Sequence, residues 1–313
     1  MSDLAWKLLG RYIANNAHLT KLVLEDCHLT NEKMASLFRE LKSSISLEWL
    51  DLDNNDFDIN GVRCMIPFLQ NSPNLSILYL AGNSNINTEC FEVLISALEG
   101  RSLQELYLYS CNIKDISALE TYNLPNLESL SLTDSNKLGR EGIISLSNQI
   151  QKEGSTLKVL DLDDTDIGDE GAEILAASLK QNTKLEKLSL RGSNITEKGQ
   201  RALLCLLNDI SSIESTYTSN HTLTALNLVE GNPPKIGMIG QIYSAIKINE
   251  NIPTAGRAKV IKYQLNSLKR KELCRLQGVE YSSNSDDIEH PAAEKCYGDK
   301  GVVGSSSQKR QRS

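Results

Sequence analysis

The residues best able to do chemistry in this 313-residue chain are two carboxylate pairs, Asp51/Asp53 and Asp161/Asp163. Alternate side chains of an extended strand share a face, so each Asp-x-Asp sets two carboxylates side by side. Such a pair can hold a divalent cation or divide acid and base roles, the chemistry of a cation-dependent enzyme. The simpler reading is an acidic patch on an exposed sheet, because no nucleophile or positioned base accompanies either pair. His18, His28, His221 and His290 show no metal-ligand spacing to cysteines or carboxylates. Gly-x-Ser-x-Gly, His-Glu-x-x-His and Gly-x-x-x-x-Gly-Lys are absent. No catalytic residue, metal or cofactor is expected, and the chain reads as a non-enzyme.

The seven cysteines, Cys27, Cys64, Cys90, Cys111, Cys205, Cys274 and Cys296, are odd in number and contain no Cys-x-x-Cys. They read as reduced thiols of an intracellular protein, which makes the sequons at Asn74, Asn194 and Asn220 chance matches. A net charge of -7 argues against a nucleic-acid partner. No apolar run approaches the roughly 20 residues of a membrane span. The opening Met1-Ser2-Asp3-Leu4-Ala5-Trp6-Lys7 lacks the basic-then-apolar order of a secretory leader. A cytoplasmic location is expected, with Lys309-Arg310-Gln311-Arg312 as a weak nuclear signal.

The elements that position these residues come from a repeat. Leu-x-x-Leu-x-Leu begins at Leu19, Leu47, Leu75, Leu103, Leu127, Leu157, Leu185 and Leu223, at spacings of 28, 28, 28, 24, 30, 28 and 38 residues. Three residues after the third leucine stand Cys27, Asn55, Asn83, Cys111, Thr165 and Ser193, small polar groups able to bond the backbone of a tight turn. The second half of the unit changes period. Gly61, Gly142, Gly171 and Gly199 share one phase, with Met65, Leu146, Leu175 and Leu203 four residues on and Leu69, Ile150, Leu179 and Leu207 eight on. Period two followed by a period near four predicts one short strand and one helix per repeat, the glycines allowing close helix packing. The fourth repeat, with Ser117, Thr121 and Pro125 in the helix phases, should thin that layer.

The 28-residue Leu-x-x-Leu-x-Leu-x-x-Asn/Cys-x-Leu unit resembles the ribonuclease-inhibitor type of leucine-rich repeat, over roughly residues 17–230. The segment after Thr254 is similar to that of ribonuclease-inhibitor-like proteins abundant in diatoms. The resemblance implies an α/β fold: a right-handed horseshoe solenoid with a parallel sheet on the concave face and helices on the convex face. Residues 1–16 are then an N-terminal cap carrying Leu8, Leu9, Tyr12 and Ile13, and 231–281 a helical C-terminal cap. Residues 282–313, without periodicity, read as a disordered tail. The basic stretch 255–276 reads as the solvated face of a capping helix, with Ile261, Leu265 and Leu268 inward.

With the leucines inward, the alternate positions face the concave side. Trp49, Tyr79, Tyr107 and Tyr109 fall there on three consecutive strands, joined by Ile77. Asp51, Asp53, Glu105, Asp161 and Asp163 make the same face acidic. The expected function is a protein-interaction scaffold whose partner presents basic or Arg-rich surface to this face. The repeat type also resembles that of the activator of the Ran GTPase, which makes a regulatory GTPase activator the alternative. That family's acidic run after the repeats is missing here. The sequence carries no sign of oligomeric state.

Overall fold

In the computed structural model, residues 2–134, 138–231, 234, 236–251 and 254–265 are described. Among them, eight three-residue strands form one parallel sheet in sequence order. They are β1 Lys21–Val23, β2 Trp49–Asp51, β3 Ile77–Tyr79, β4 Glu105–Tyr107, β5 Ser129–Ser131, β6 Val159–Asp161, β7 Lys187–Ser189 and β8 Ala225–Asn227. The register pairs equivalent residues: Leu22, Leu50, Leu78, Leu106, Leu130, Leu160, Leu188 and Leu226 form one continuous row of neighbours. All eight are buried. The sheet does not close, and helices lie alongside it, which makes a horseshoe solenoid.

A three-residue strand cannot by itself order the turn that follows, so side chains do it. Asn55 and Asn83, at the small polar position, are buried. The Asn83 amide nitrogen donates to the carbonyls of Leu52, Leu80 and Ala81, while its oxygen accepts from the Asn55 backbone N–H at 3.1 Å. Asn55 repeats the pattern one unit earlier, donating to Leu24, Leu52 and Asp53 and accepting from Leu29 N–H. Thr165 and Ser193 need only a hydroxyl to reach the Leu162 carbonyl.

The residue just before this position is left-handed in seven units. Asp26, Asn54, Gly82, Ser110, Asp134, Asp164 and Gly192 have φ between 50° and 68°. Six of the seven are Gly, Asn or Asp, types that tolerate the αL region, and Ser110 is the exception. The conformation aims the backbone N–H at the next repeat; Asp26 donates to the Asp53 carbonyl at 3.0 Å and Asn54 to Ala81 at 2.8 Å. Gly82 is further constrained, since a Cβ there would sit 2.0 Å from the Asn54 side-chain oxygen.

The helices α2 Asn31–Leu41, α3 Ile59–Asn71, α4 Thr88–Ala97, α6 Arg140–Gln151, α7 Gly168–Leu179 and α8 Glu197–Leu207 follow their strands. Met65, Leu146, Leu175, Leu203, Leu69, Ile150, Leu179 and Leu207 are all buried, as the four-residue spacing predicts. A Cβ on Gly61 would meet Phe57 Cβ at 2.5 Å, and one on Gly171 would meet Ile167 Cβ at 2.8 Å. The phased glycines thus let α3, α6, α7 and α8 start directly against their own turns. In the fourth repeat the helix, α5 Ala118–Thr121, is four residues long.

The two ends depart from expectation. In α1 Asp3–Ala14 the inward residues are Trp6, Gly10 and Ile13, with Leu9 partly covered, whereas Leu8 and Tyr12 are 53% and 67% exposed. The helix is rotated because Gly10 lies against the Leu37 carbonyl and Lys7 and Arg11 both reach Glu40. At the other end follow α9 Ile213–Tyr217, α10 Gly237–Asn251, α11 Ala255–Lys259 and a π-helical turn Val260–Leu265. Lys259, expected on a solvated face, is fully buried, and Ile261, expected inward, is 46% exposed. The π-helical turn displaces the helical phase, so the inward spacing read from a regular helix fails here. Leu268, most of the basic cluster beyond it and the 282–313 tail lie outside the described residues.

Leu160 is buried between packed repeats, so Leu160→Ala should cost about 2–5 kcal/mol by opening a cavity. Asn83→Ala should cost about 2 kcal/mol or more, because three carbonyls and one N–H lose a buried partner together. Denaturant melts with an unchanged m-value would check both.

Candidate interaction face

The sheet positions between the leucines carry the candidate site. Lys21 Nζ lies 3.5 Å above the Trp49 ring. Trp49 stacks on Tyr79 with centroids 5.3 Å apart and planes 7° from parallel. Tyr79 stacks on Tyr107 at 4.3 Å and 10°. The result is a ladder of one cation and three rings across four successive strands, β1 to β4. Strand spacing of about 4.8 Å is close to a ring-stacking distance, so one aromatic per repeat is enough to build it. Ile77 is half-buried beside it on β3. The next strand, β5, has only Ser129 and Ser131 at these positions. Among the described residues, no ring or cation covers the far side of Tyr107.

Carboxylates surround the ladder. Tyr107 Oη donates to Glu105 Oε2 at 2.8 Å. Burial, and then that carboxylate, hold the Tyr107 phenol protonated well above its ordinary range. Burial also raises Tyr79. Asp51 Oδ1 accepts from the Asp53 N–H, and Asp161 Oδ1 from the Asp163 N–H, at 3.1 and 3.2 Å. Burial pushes the Asp161 carboxyl up, with repulsion from Asp163 adding to it.

Asp53 and Asp163, read from the sequence as parts of an exposed acidic face, are 5% and 3% exposed. Each reaches one repeat forward. Asp53 Oδ1 accepts from Ala81 N–H at 2.7 Å, and Asp163 Oδ1 accepts from Arg191 N–H at 2.8 Å. They therefore splice the end of one strand to the next. Their surroundings then diverge. Asp163 Oδ2 is also 2.6 Å from the Arg191 guanidinium. Asp53 has Ala81 at the matching place, and its Oδ2 accepts from Tyr109 Oη, two repeats away, at 3.3 Å. Burial with no cation, next to Asp51, pushes the Asp53 carboxyl up to about 6. Tyr109 remains 37% exposed at the edge of the patch.

The geometry thus brings Trp49, Tyr79, Tyr107, Glu105 and Ile77 together in one patch, sets Asp51 and Tyr109 at its edge, and places Asp161 two strands beyond Tyr107. It withdraws Asp53 and Asp163 into the scaffold. Sequence reasoning missed Lys21 as part of the ladder and Arg191 as a counter-ion. Both stand 28 residues from their partners, one repeat length, and that spacing was the available signal. Among the described residues, no group of three or more histidines, cysteines, aspartates or glutamates could hold a metal ion.

A family model of leucine-rich repeats in two copies matches residues 101–151, and a single leucine-rich-repeat model matches 15–36, 155–176 and 181–204. The ribonuclease inhibitor of Sus scrofa is 29% identical over 74% of this chain and 60% of its own length. The chain carries leucine-rich repeats and is similar over most of its length to the ribonuclease inhibitors. A second relative, NACHT, LRR and PYD domains-containing protein 5 of Homo sapiens, is 33% identical over 71% of this chain but only 18% of its own length. The chain spans 60% and 44% of the ribonuclease inhibitors of pig and mouse. An internalin from Listeria monocytogenes aligns with a TM-score of 0.46 at 22% identity, covering 72% of this chain and 62% of that one. Leucine-rich-repeat proteins act in general as protein-interaction scaffolds.

The two spliced aspartates of this repeat protein should respond oppositely to the same change. A carboxyl whose folded pKa is raised lowers stability when ionised, with the penalty growing as pH rises from about 4 through 6. Asp53→Asn should therefore stabilise near pH 7, by an order of 1–3 kcal/mol, and have little effect near pH 4. Asp163→Asn should destabilise by about 1–2 kcal/mol, because Arg191 loses its counter-ion at a half-exposed site. Thermal melts of both variants across that pH range would show the contrast.

Proposed function

We propose that this protein is a non-enzymatic, cytoplasmic scaffold that holds a protein partner against the concave sheet, with residues 1–16 and 231–281 as caps. The observation that carries the reading is the Lys21–Trp49–Tyr79–Tyr107 ladder on the solvent side of the sheet. Trp and Tyr bring large contact area with few rotatable bonds, which is why they dominate binding hot spots. The stack fixes the rings before a partner arrives, so little side-chain entropy remains to be lost on binding.

The partner chemistry follows from the two ends of the ladder. Its first end carries the chain's own cation, Lys21. Its last ring, Tyr107, meets only the serines of β5, with Glu105 beside it and Asp161 on β6 beyond. A guanidinium lying over Ser131 would stack on Tyr107 and face carboxylates, satisfying both preferences of arginine at once. A partner with basic or Arg-rich surface fits this face; a nucleic acid, with its phosphates, does not. Among the described residues, no helix is long and apolar enough to cross a membrane.

Trp49→Ala and Tyr79→Ala should leave the protein folded and each cost about 2 kcal/mol or more of partner binding. Asp161→Asn, away from the ring stack, should mainly slow association and flatten its salt dependence. The measurement is titration of a partner captured from source cells, at two salt concentrations, with circular dichroism as the folding control. Unchanged affinity in a folded Trp49→Ala/Tyr79→Ala double variant would move the binding site to the helical face.

A further inference from the structure

Among the described residues Lys259 is the one buried lysine, and the scaffold reading gives it no task. It stands at the end of α11, beneath the last repeats. Its ammonium group has three donors, and three acceptors face it: the Leu207 carbonyl at the end of α8, the Asn220 carbonyl at 3.3 Å and His221 Nδ1 at 3.2 Å. The opposite ring nitrogen, His221 Nε2, lies 2.7 Å from the Tyr217 carbonyl of α9. A carbonyl only accepts, so Nε2 carries the proton and Nδ1 is the bare nitrogen that accepts from Lys259. The arrangement requires His221 to be neutral.

We propose that His221 and Lys259 form an acid-opened latch that docks the C-terminal segment 254–265 onto the end of the solenoid. Protonation of His221 puts an N–H where Lys259 needs an acceptor, and sets two cations about 3 Å apart in a part-buried site. No carboxylate relieves this among the described residues. On α9, Glu214 is exposed. Asp209, between α8 and α9, accepts from Ser211 N–H. On α10, Lys247 and Glu250 are exposed, and the group that faces His221 is the amide of Asn249. The π-helical turn contributes an exposed Lys262 and Tyr263, whose buried phenol is pushed up to about 12 and so stays neutral. The segment is otherwise held by Gln264, which donates to the Ile210 and Ser212 carbonyls, and by Gly256 lying against the Tyr217 carbonyl.

Burial lowers both groups, His221 below its ordinary range and Lys259 to about 7. Each therefore binds fewer protons when docked than when free, and docking weakens as pH falls. The Lys259 contribution is lost between about 10 and 7. The His221 contribution is lost below about 6.5, as pH falls through its docked value, and this is the window in which the latch opens.

The test is amide hydrogen exchange of the full chain at about pH 7 and about pH 5, with rates corrected for the intrinsic pH dependence of exchange. In the wild type, amides of 254–265 should lose about tenfold or more of their protection at the lower pH, while those of β2 to β6 keep theirs. His221→Asn retains a side-chain acceptor that does not titrate, and should keep the segment protected at both values. Lys259→Met keeps the length without the charge, and should shrink the loss. An unchanged wild-type pattern, or an equal loss in His221→Asn, would overturn the proposal. If His221→Asn alters protection throughout the sheet, the Lys259→Met comparison decides: an undiminished loss in that variant overturns the latch.

Discussion

A three-residue strand leaves nearly all of its backbone donors and acceptors to be satisfied by something outside itself. Every other feature of this solenoid answers that demand. The strand N–H groups pair with the next strand, the left-handed residues carry the pairing round the corner, and the buried amides of Asn55 and Asn83 close the turn beyond it. The strand and corner bonds cross a repeat boundary, and each amide adds one more that does, Asn55 to the Leu24 carbonyl and Asn83 to that of Leu52. The register is therefore fixed by hydrogen bonding as well as by leucine packing, and no unit is complete without its neighbour. The same constraint explains why Asp53 and Asp163, two residues past the ends of their strands, turn away from solvent to take the next repeat's N–H.

The period of the leucines made the sheet order, the inward row and the helix faces legible in the sequence, since all three depend only on spacing. The face that remains was legible in outline: Trp49, Tyr79 and Tyr107 stand on the same side because alternation in a strand puts them there. What alternation does not convey is how a side chain behaves just past the end of a strand. There the choice between solvent and a neighbouring N–H depends on the geometry of the turn, and Asp53 and Asp163 chose the N–H. The ends of the array were less legible for a related reason. The helix α1 packs chiefly against α2, so the repeat pattern no longer dictates its rotation. The placements of Trp6 inward and Leu8 outward were settled by contacts with Leu37 and Glu40. A turn of π-helix did the same to Lys259 and Ile261.

Substitution of one residue type at one position changes the character of the whole site. Ala81 and Arg191 are equivalent in the repeat, and each donates its N–H to an aspartate one unit back. With arginine the buried carboxylate is neutralised within the chain; with alanine it keeps its charge unmatched and the Tyr109 phenol leans across to it from two units away. The scaffold is uniform, and the variety of its surface comes from the few positions that the backbone bonding leaves free. A binding surface can thus diverge without disturbing the fold that displays it.

The four-residue α5 has a mechanical meaning. Neighbouring helices of the convex layer run to ten residues or more, so this is the place where a repeat is held to the next by its sheet edge and turn with the least help from behind. An array pulled from its ends parts first at its thinnest junction. That junction separates β1–β4, with the complete aromatic ladder, from β6–β8, with the Asp163–Arg191 pair. A ligand seated across both sides would act as a splint, and load on the chain would in turn be felt by whatever the curved face is holding.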